Sequence, residues 1–574
     1  MSSVRALPRS MAWHIFRKDC RLLWPLALAG AGGQALVSLI NHRSPPYVEH
    51  DGFIAVAILL TLGIAFSISL LIVLAVQQDA IPGATQDWLV RPIRRGDLLL
   101  AKLLVAALLI HAPFVAINTL RGMSYGFSLG QSLGAALHST LELALVYSLP
   151  LMTIAALTRS VTEAILTALA LALGVALARM AALALLSAFT RAFHFSHSAD
   201  GTGEAWVWEL LSHALLMLLL AAVLARQYFR RDTPKSRVLL AGGLLLAALT
   251  PDLPWRPAFA IQQGLAANAD AGRAVALAFD PTPAPLPTAD AAAVPLDPQR
   301  LIRDTENREK KAGEKKKKKA ADDKDITTIL LPLRLSGLPG GSILHADHTA
   351  VRLIGADGRT LYRGSGHIFD APAPLAGDAP TRLRQSLRIP AKTFHQAADQ
   401  AVRLEVDYAL TLLRPHTLAP LAALDGDRIL PEAGHCATRI DDAGTAVEVN
   451  CIAVGQIPPC RSMALELGNG ARRNPETFSC ELDYQPASLR VSVDPLDDSE
   501  TTLPFRDASG AAHYPVDQAQ LPDAQVVISV YEPEDHFSRH LVIPQFRLRD
   551  WQAAAPAAGD KAGTTAPPAD ADQP

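Results

Sequence analysis

The sequence predicts an α-helical membrane domain of six or seven transmembrane helices, followed by an all-β, sandwich-like soluble domain. The 574-residue chain is 50% hydrophobic with a net charge of −2, but its long charge-free Leu/Ala runs all precede residue 256. Beyond that point the chain is charged and rich in Pro and Asp, and from Ile326 hydrophobic residues recur with period two, which is typical of strands. We therefore divide it into a transmembrane domain (1–255), a Pro/Ala- and Lys-rich linker (256–325), a β-rich domain (326–551) and a disordered tail (552–574).

Six apolar runs are long enough for a bilayer core of about 30 Å, which takes about 20 helical residues. They are Leu22–Ile40, Phe53–Val76, Leu98–Ile117, Leu129–Leu157, Val161–Phe189 and Val207–Leu224.

A seventh run, Val238–Trp255, is shorter and is interrupted by Gly242, Gly243 and Pro251. It fits either a full crossing or an interfacial segment. The basic cluster before it and the position of Trp255 in an aromatic belt favour a crossing. At the other end of this domain, the basic stretch Met11–Trp24 predicts an amphipathic helix in the inner interface.

The distribution of Lys and Arg predicts which loops face the cytoplasm. With the N-terminus inside, the cytoplasmic segments hold fourteen of these residues and the opposite loops hold three, namely Arg43, Arg121 and Arg191. Because positive charge accumulates on the cytoplasmic side, this orientation is favoured, and a seventh crossing then exports everything after residue 255.

Four polar residues inside the runs are candidate functional residues, because a polar group in lipid is costly unless it is paired or faces water. They are Glu142, Arg179, Glu209 and His213. Arg179 and Glu209 approach the outer boundary from neighbouring helices, so we expect them to pair. Such a pair serves either as a gate or substrate contact, or only as a packing contact.

The cysteines support an exported second half. Cys20 stands alone, whereas the other four lie in the β-rich part, at Cys436, Cys451, Cys460 and Cys480. Four cysteines in one globular segment predict two disulfides with three connectivities, and such bonds persist in oxidising compartments. Unpaired buried thiols are the alternative, while zinc is disfavoured because no Cys-x-x-Cys pair is present.

The loop after the second run, Asp79–Lys102, reads DAIPGATQDWLVRPIRRGDLLLAK. Its segment WLVRPIRRGDLLLAKLL resembles the W-L-x-R-P-I-x-R…L-L-x-x-K-L pattern of permease subunits of type 2 ABC exporters. Residues 10–250 share that resemblance, which implies a six-span subunit whose cytoplasmic loop between the second and third spans, here 77–97, carries a coupling helix that docks into a separate ATPase. The residues carried over are Asp79, Gly83, Thr85, Trp88, Leu89, Arg91 and Pro92. Ala84 and Asp87 depart from the pattern, and the alternative is an ordinary basic loop.

The chain lacks the G-x-x-x-x-G-K-[ST] phosphate-binding motif, so we expect no enzyme activity and no directly bound cofactor. The resemblance implies that ATP and Mg²⁺ bind an ABC ATPase subunit, and that a second permease subunit completes a homo- or heterodimer. The other expected partner is the lipid bilayer of a bacterial-type inner membrane, with an extracytoplasmic C-terminal domain; no nucleic acid is expected. The alternative function is a membrane-anchored sensor or envelope-assembly protein that does not transport.

Strand signals fill the second half. Val402–Leu412 alternates cleanly, and Val351–Tyr362 predicts a hairpin with a turn at Asp357-Gly358. The further predicted strands are Ile326–Leu335, Leu383–Ile389, Ala446–Val454, Met463–Leu467, Phe478–Tyr484, Leu489–Val493, Gln525–Val530 and Leu541–Leu548.

Catalytic signals in this half are weak. Ser365 lacks the first glycine of a G-x-S-x-G elbow, so a membrane-bound hydrolase is a minor alternative. His345, Asp347 and His348 are candidates either for a metal site or for a surface turn, and the turn is favoured. We predict no metal site.

Overall fold

The computed structural model describes residues 11–43, 51–78, 94–193, 205–250, 253–282, 326–366, 370–372, 381–441, 444–454, 460–468, 470, 472–474, 476–480, 496–505 and 514–552. The first part is helical and the second is rich in β-structure, as predicted. Six helices in the described residues are long and apolar enough to cross a membrane: Met11–Ile40, Ile58–Gln77, Arg95–Ser124, Leu129–Leu157, Val161–Ala182 and Trp206–Arg230.

The first helix, α1 (Met11–Arg43), is continuous through Pro25, so the predicted interfacial helix and the first span are one element. Next comes α2 (Asp51–Gln77), antiparallel to α1. A Cβ on Gly33 of α1 would lie 2.8 Å from Ile64 Cγ1, so this glycine allows the two helices their close approach.

Each of the third and fourth spans is interrupted by a π-helical segment. The third consists of α3 (Arg95–Ala106), the segment Ala107–His111 and α4 (Ala112–Ser124). The fourth consists of α5 (Leu129–Glu142), the segment Leu143–Ser148 and α6 (Leu149–Leu157).

Both π segments directly precede a proline in the first turn of the next helix, Pro113 or Pro150. Proline donates no hydrogen bond and its ring crowds the carbonyl four residues earlier, so the preceding turn widens. Between these spans, Ser128 caps α5 and forms a capping box with Gln131.

The remaining helices of this domain are α7 (Val161–Phe193), α8 (Ala205–Arg230) and α9 (Thr233–Leu249). The 17-residue α9 is not among the six long helices, but it runs antiparallel along α8. Gln227 bonds Thr233 at one end of this pair, and Trp208 Nε1 donates to Pro254 O at the other. At about 1.5 Å per residue, α9 covers about 25 Å, so the chain passes from one end of the helical bundle to the other.

A short helix, α10 (Trp255–Gly264), and strand β1 (Ala276–Phe279) follow. Residues 256–282 of the predicted linker are therefore ordered, while 283–325 and the tail after Gln552 lie outside the described residues. Trp255 is only 6% exposed and stacks on His348 with ring centroids 4.4 Å apart. It packs against the β-rich domain instead of facing lipid headgroups, which corrects our interpretation of it as an aromatic-belt residue.

The described strands after β1 are β2 (Ile326–Ser336), β3 (Ile343–Ile354), β4 (Thr360–Ser365), β5 (Asp370–Pro372), β6 (Thr381–Pro390), β7 (Val402–Thr417), β8 (Leu421–Ala422), β9 (Asp427–Leu430), β10 (Gly434–Ile440), β11 (Ala446–Val454), β12 (Cys460–Leu467), β13 (Arg472–Arg473), β14 (Thr477–Cys480), β15 (Leu496–Pro504) and β16 (Ala524–Phe546), with the helix α11 (Ala391–Ala397) among them. In the described residues these strands form three sheets. The largest, with nine strands, is built on the adjacent strands β12, β16, β7, β3 and β4, and the smaller sheets have the orders β1-β2-β6 and β15-β11-β10-β9.

Two hydrophobic cores share the large sheet. One packs β2 and β6 against β3, β7 and the end of β16, around the fully buried Leu331, Leu404 and Tyr408. The other packs β10 and β11 against β12 and the start of β16, around Val449, Leu465 and Ile528. The arrangement is that of two small sandwiches sharing one curled wall.

Most predicted strands are confirmed, including the hairpin, in which Gly358 takes a left-handed φ of 74°. Gln525–Val530 and Leu541–Phe546 are parts of the single strand β16, whose register shifts twice where it pairs with β7, and Leu548 belongs to the short helix that follows. Predicted strand Leu489–Val493 and residues 481–484 of predicted strand Phe478–Tyr484 lie outside the described residues.

Of the predicted disulfides, Cys436–Cys451 is present and joins β10 to β11 with a Cα–Cα distance of 4.0 Å. Cys460 lies directly opposite Cys480 in the register of β12 and β14, and pairing of these two stays a prediction. Cys20 in α1 is a free thiol.

The α8–α9 contact provides a matched test. A Cβ on Gly243 would meet Leu219 Cδ2 at 1.9 Å, whereas one on the neighbouring Gly242 would meet nothing within 4 Å. We expect Gly243→Val to destabilise the protein by about 1–3 kcal/mol through overpacking, and to lower the melting temperature in detergent. Gly242→Val introduces the same residue on the open side of α9. Equal melting temperatures for the two variants would contradict this packing.

Candidate functional site

The described flanks of the loop that carries the exporter-like pattern lie together at one end of the helical bundle. Residues 79–93 are outside the described part of the chain, so the positions of Asp79, Gly83, Thr85, Trp88, Leu89, Arg91 and Pro92 stay predictions. Its flanks are described: Gln77 donates to Thr158 Oγ1 at 3.1 Å, and Arg95 donates to the carbonyl of Phe229. The loop therefore leaves and re-enters the bundle beside the turns 158–160 and 231–232.

A buried ion pair lies two helical turns below this loop. Lys102 Nζ is 2.7 Å from Asp19 Oδ2, and both side chains are fully buried. A second contact, Gln34 Nε2 to Asn118 Oδ1 at 3.2 Å, joins the same two spans farther along. Lys102 follows Asp19 by 83 residues and Asn118 follows Gln34 by 84. Because the two contacts follow each other in the same order on both spans, α1 runs parallel to α3–α4, and both begin at the loop end.

The β-rich domain sits at the opposite end of the bundle. The Nδ1 of His435, on β10, is 2.8 Å from the carbonyl oxygen of Tyr125, in the turn between α4 and α5. The same imidazole pairs through Nε2 with Asp427 of β9. A second contact between the bundle and the β-rich domain's side of the chain is made by α10, which packs on α8 through Ala258, Val207 and Trp208.

The structure brings together some of the predicted intramembrane polar residues. Glu142 is 8% exposed and lies 3.4 Å from His138 Nε2, with His213 also within electrostatic range. His213 Nδ1 bonds the carbonyl of Glu209 one turn earlier, at 2.8 Å. The expected pairing of Arg179 with Glu209 stays a prediction.

His345, Asp347 and His348 do not form a surface turn. They lie in β3, where a bulge between Ala346 and His348 turns successive side chains inward, and they are buried. Asp347 accepts a hydrogen bond from Thr411 of β7. The prediction of a surface turn is therefore wrong. The strands that cover these residues lie far from them in the sequence, so the local pattern does not show the burial.

A hydrogen-bonded network connects this buried cluster to α10. Thr411 Oγ1 lies 2.7 Å from His536 Nδ1, which is 3.1 Å from Gln262 Nε2 of α10. Thr411 donates its single proton to the Asp347 carboxylate, and the tautomer of His536 sets whether Nδ1 donates or accepts in its own two contacts. Burial lowers the pKa of His536 to about 4, although the neighbouring Asp535 opposes this shift.

Among the described residues, no group of three or more His, Cys, Asp or Glu side chains is placed to hold a metal ion. Ser365 ends β4 at the edge of the large sheet.

Two structural features were missed from the sequence. Asp19 and Lys102 are ordinary charges near the ends of apolar runs, and only the close packing of α1 on α3 shows that they meet. The prolines at positions 113 and 150 were a usable signal, because each lies inside a predicted span where it disrupts regular helix.

The ion pair predicts a characteristic pattern of stabilities. Lys102→Met should cost about 3–5 kcal/mol, since it removes the buried partner of the Asp19 carboxylate and leaves only the half-exposed Lys18, 3.5 Å away. The double variant Asp19→Leu/Lys102→Met removes both charges and should unfold near the wild-type free energy in denaturant titrations in detergent. Losses that simply add would show that the two residues act independently.

The buried imidazole predicts acid sensitivity of the β-rich domain. The folded pKa of His536 is below its ordinary value of 6.5, so its contribution is complete above pH 6.5 and is lost as the pH falls toward 4. The loss should reach about 3 kcal/mol in urea titrations of the full chain followed by circular dichroism. His536→Gln should flatten this dependence, whereas His416→Gln, on an exposed position of β7, should not. Identical pH profiles for the two variants would refute the assignment.

A scan against protein-family models finds no match to this chain, and a search of curated proteins finds none either. The structural result is thus a bundle with six apolar helices of membrane-spanning length, joined to a β-rich domain with one defined disulfide.

Proposed function

We propose that this protein is the permease subunit of a type 2 ABC exporter and forms half of an ATP-driven export pathway with a separate ATPase. The observation that carries the proposal is the Trp88–Ile93 pattern, WLVRPI, in a basic loop whose flanks lie at the end of the bundle away from the β-rich domain.

The charges at that end support a cytoplasmic location. Arg95, Arg226 and Arg237 all lie there, and Arg237 pairs with Glu163 at 2.7 Å and bonds the carbonyl of Leu157. The positive-inside rule then places the β-rich domain outside the cytoplasm, where its Cys436–Cys451 bond is stable. In this proposal the membrane is a bacterial-type inner membrane.

The buried ion pair gives the loop a mechanical connection. A force on the loop enters α3 through the chain itself. It reaches α8 through the bond from Arg95 to the Phe229 carbonyl and α1 through Lys102 and Asp19, because neither buried charge can separate from its partner cheaply. The ATPase binds ATP and Mg²⁺, while this chain supplies the docking surface. A second permease subunit, identical or different, completes the pathway.

A sensor or envelope-assembly role is the second candidate. It is favoured by the direct contact of His435 with the α4–α5 turn, through which a ligand on the β-rich domain would act on the membrane helices. This candidate needs no ATPase, and that difference separates the two functions.

The test is affinity purification of the tagged full chain from its native membranes after mild crosslinking. We expect a P-loop ATPase to co-purify with the wild type. Trp88→Ala and Arg91→Glu should each reduce its recovery about tenfold or more, as expected for anchor residues at the centre of an interface.

Lys235→Ala is the matched control, because this lysine is a basic residue at the same end and contacts only Asp232 among its described ion pairs. It should leave ATPase recovery unchanged. Absence of any ATPase from the wild-type eluate would reject the exporter and leave the sensor role.

A further inference from the structure

A long apolar groove runs along the outer half of the third and fourth spans. It has a volume of about 770 Å³ and is bordered by α4 on one side and α5 on the other. It extends from Ala107 to Met123, roughly 24 Å at the rise of an α-helix. Its walls are mainly Leu, Ala, Val and Met side chains, of which Leu120, Leu137 and Leu141 are more than half exposed. The groove therefore opens toward the surrounding hydrocarbon.

The two prolines shape the deep end of this groove. Ala107 and Ala144, which border it there, belong to the two π-helical segments, and each segment precedes a proline. At the outer end the helices are close, because a Cβ on Gly122 would lie 2.7 Å from Ser132 Oγ. The groove is thus built by local backbone changes on both helices, and π segments frequently mark functional positions.

Two polar atoms border the deep end without a hydrogen-bond partner among the described residues. They are Nδ1 of His111 and Oγ1 of Thr140, and Thr140 is only 6% exposed. A third polar residue of the groove, Thr119, is already bonded to the carbonyl of Val115. A buried polar group without a partner is costly, so a ligand that bonds His111 and Thr140 is favoured there.

We propose that this groove binds a neutral single-chain amphiphile, such as a long-chain alcohol, with its polar end at His111 and Thr140 and its chain along α4 and α5 toward Met123. The shape fits one chain, since pockets of about 300–1,000 Å³ hold ligands of this size. A neutral hydroxyl both donates and accepts, which matches an imidazole nitrogen and a threonine oxygen. A charged headgroup at this depth would cost more.

The proposed orientation is opposite to that of an ordinary lipid of the bilayer. A bulk lipid keeps its polar end at the interface, near Met123 and Leu129, and its methyl end near the bilayer centre. In the groove the polar end lies in the middle of the helix pair and the methyl end near the α4–α5 turn. Binding does not depend on transport or on an ATPase, so this proposal stands apart from the exporter function.

The experiment uses two isomers of a photoactivatable long-chain alcohol, with the diazirine next to the hydroxyl or next to the terminal methyl. The full-length protein in lipid nanodiscs is labelled, digested and mapped by mass spectrometry. We expect the hydroxyl-end probe to label the region of His111 and Thr140, and the methyl-end probe to label Met123 to Leu133. Excess unlabelled alcohol should suppress both by at least fivefold.

Variants test the two polar contacts. Thr140→Val keeps the side-chain shape and should lower labelling by the alcohol about three- to tenfold, because one buried hydrogen bond is lost. The matching alkane probe, which has no hydroxyl, should label wild type and variant equally. Ala116→Trp fills the groove and should abolish labelling, whereas Leu169→Trp, on the exposed face of α7, should not.

Three results would overturn the proposal. Reversed positions of the two probes would identify an ordinary bulk lipid. Labelling that unlabelled alcohol does not reduce would show that no saturable site exists. A crosslink between two copies through Leu137, with no alcohol labelling, would assign the groove to a helix of a second copy.

Discussion

The return of the chain along α8 through α9 is the constraint on which the rest of the architecture depends. This helix is too short to stand out as a span, yet its contacts at both ends of α8 carry the chain across the bundle. Gly243 makes this possible, because its missing side chain lets Leu219 pack against the backbone of α9. Without that crossing, the β-rich domain and the basic loop would lie at the same end of the bundle.

The junction between the two domains combines apolar and polar contacts. Trp255 and Gln262 of α10 pack against β3 and β16, and His435 joins β10 to the α4–α5 turn. Arg256 adds an ion pair to Asp407 of β7 at 3.3 Å. Only a few residues separate α9 from α10, so the helical bundle and the large sheet are joined by a short connection. Any signal between membrane and β-rich domain has a short structural route.

Inside the bundle, polar and irregular features lie at different levels. The Asp19–Lys102 pair ties α1 to α3 beside the basic loop, whereas the π segments, Glu142 and His111 lie near the middle of the third and fourth spans. The ion pair fixes α1 to α3, whereas the π segments open space between the third and fourth spans. Inserting a polar residue into lipid is unfavourable, so a polar residue inside a span is expected to have a partner or a structural role.

The sequence by itself determined the division into a helical and a β-rich half, six of the apolar helices, most strands and the presence of a disulfide in the β-rich half. These follow from local patterns: the length of apolar runs, the period of two, and residue type. The described structure alone decided that β16 is one long strand, that Cys436 pairs with Cys451, and that His345, Asp347 and His348 are buried. It also decided that Lys102 meets Asp19 and that Gly243 receives Leu219. Each of these depends on contact between residues distant in the chain, and a local pattern carries no information about which distant residue will face it.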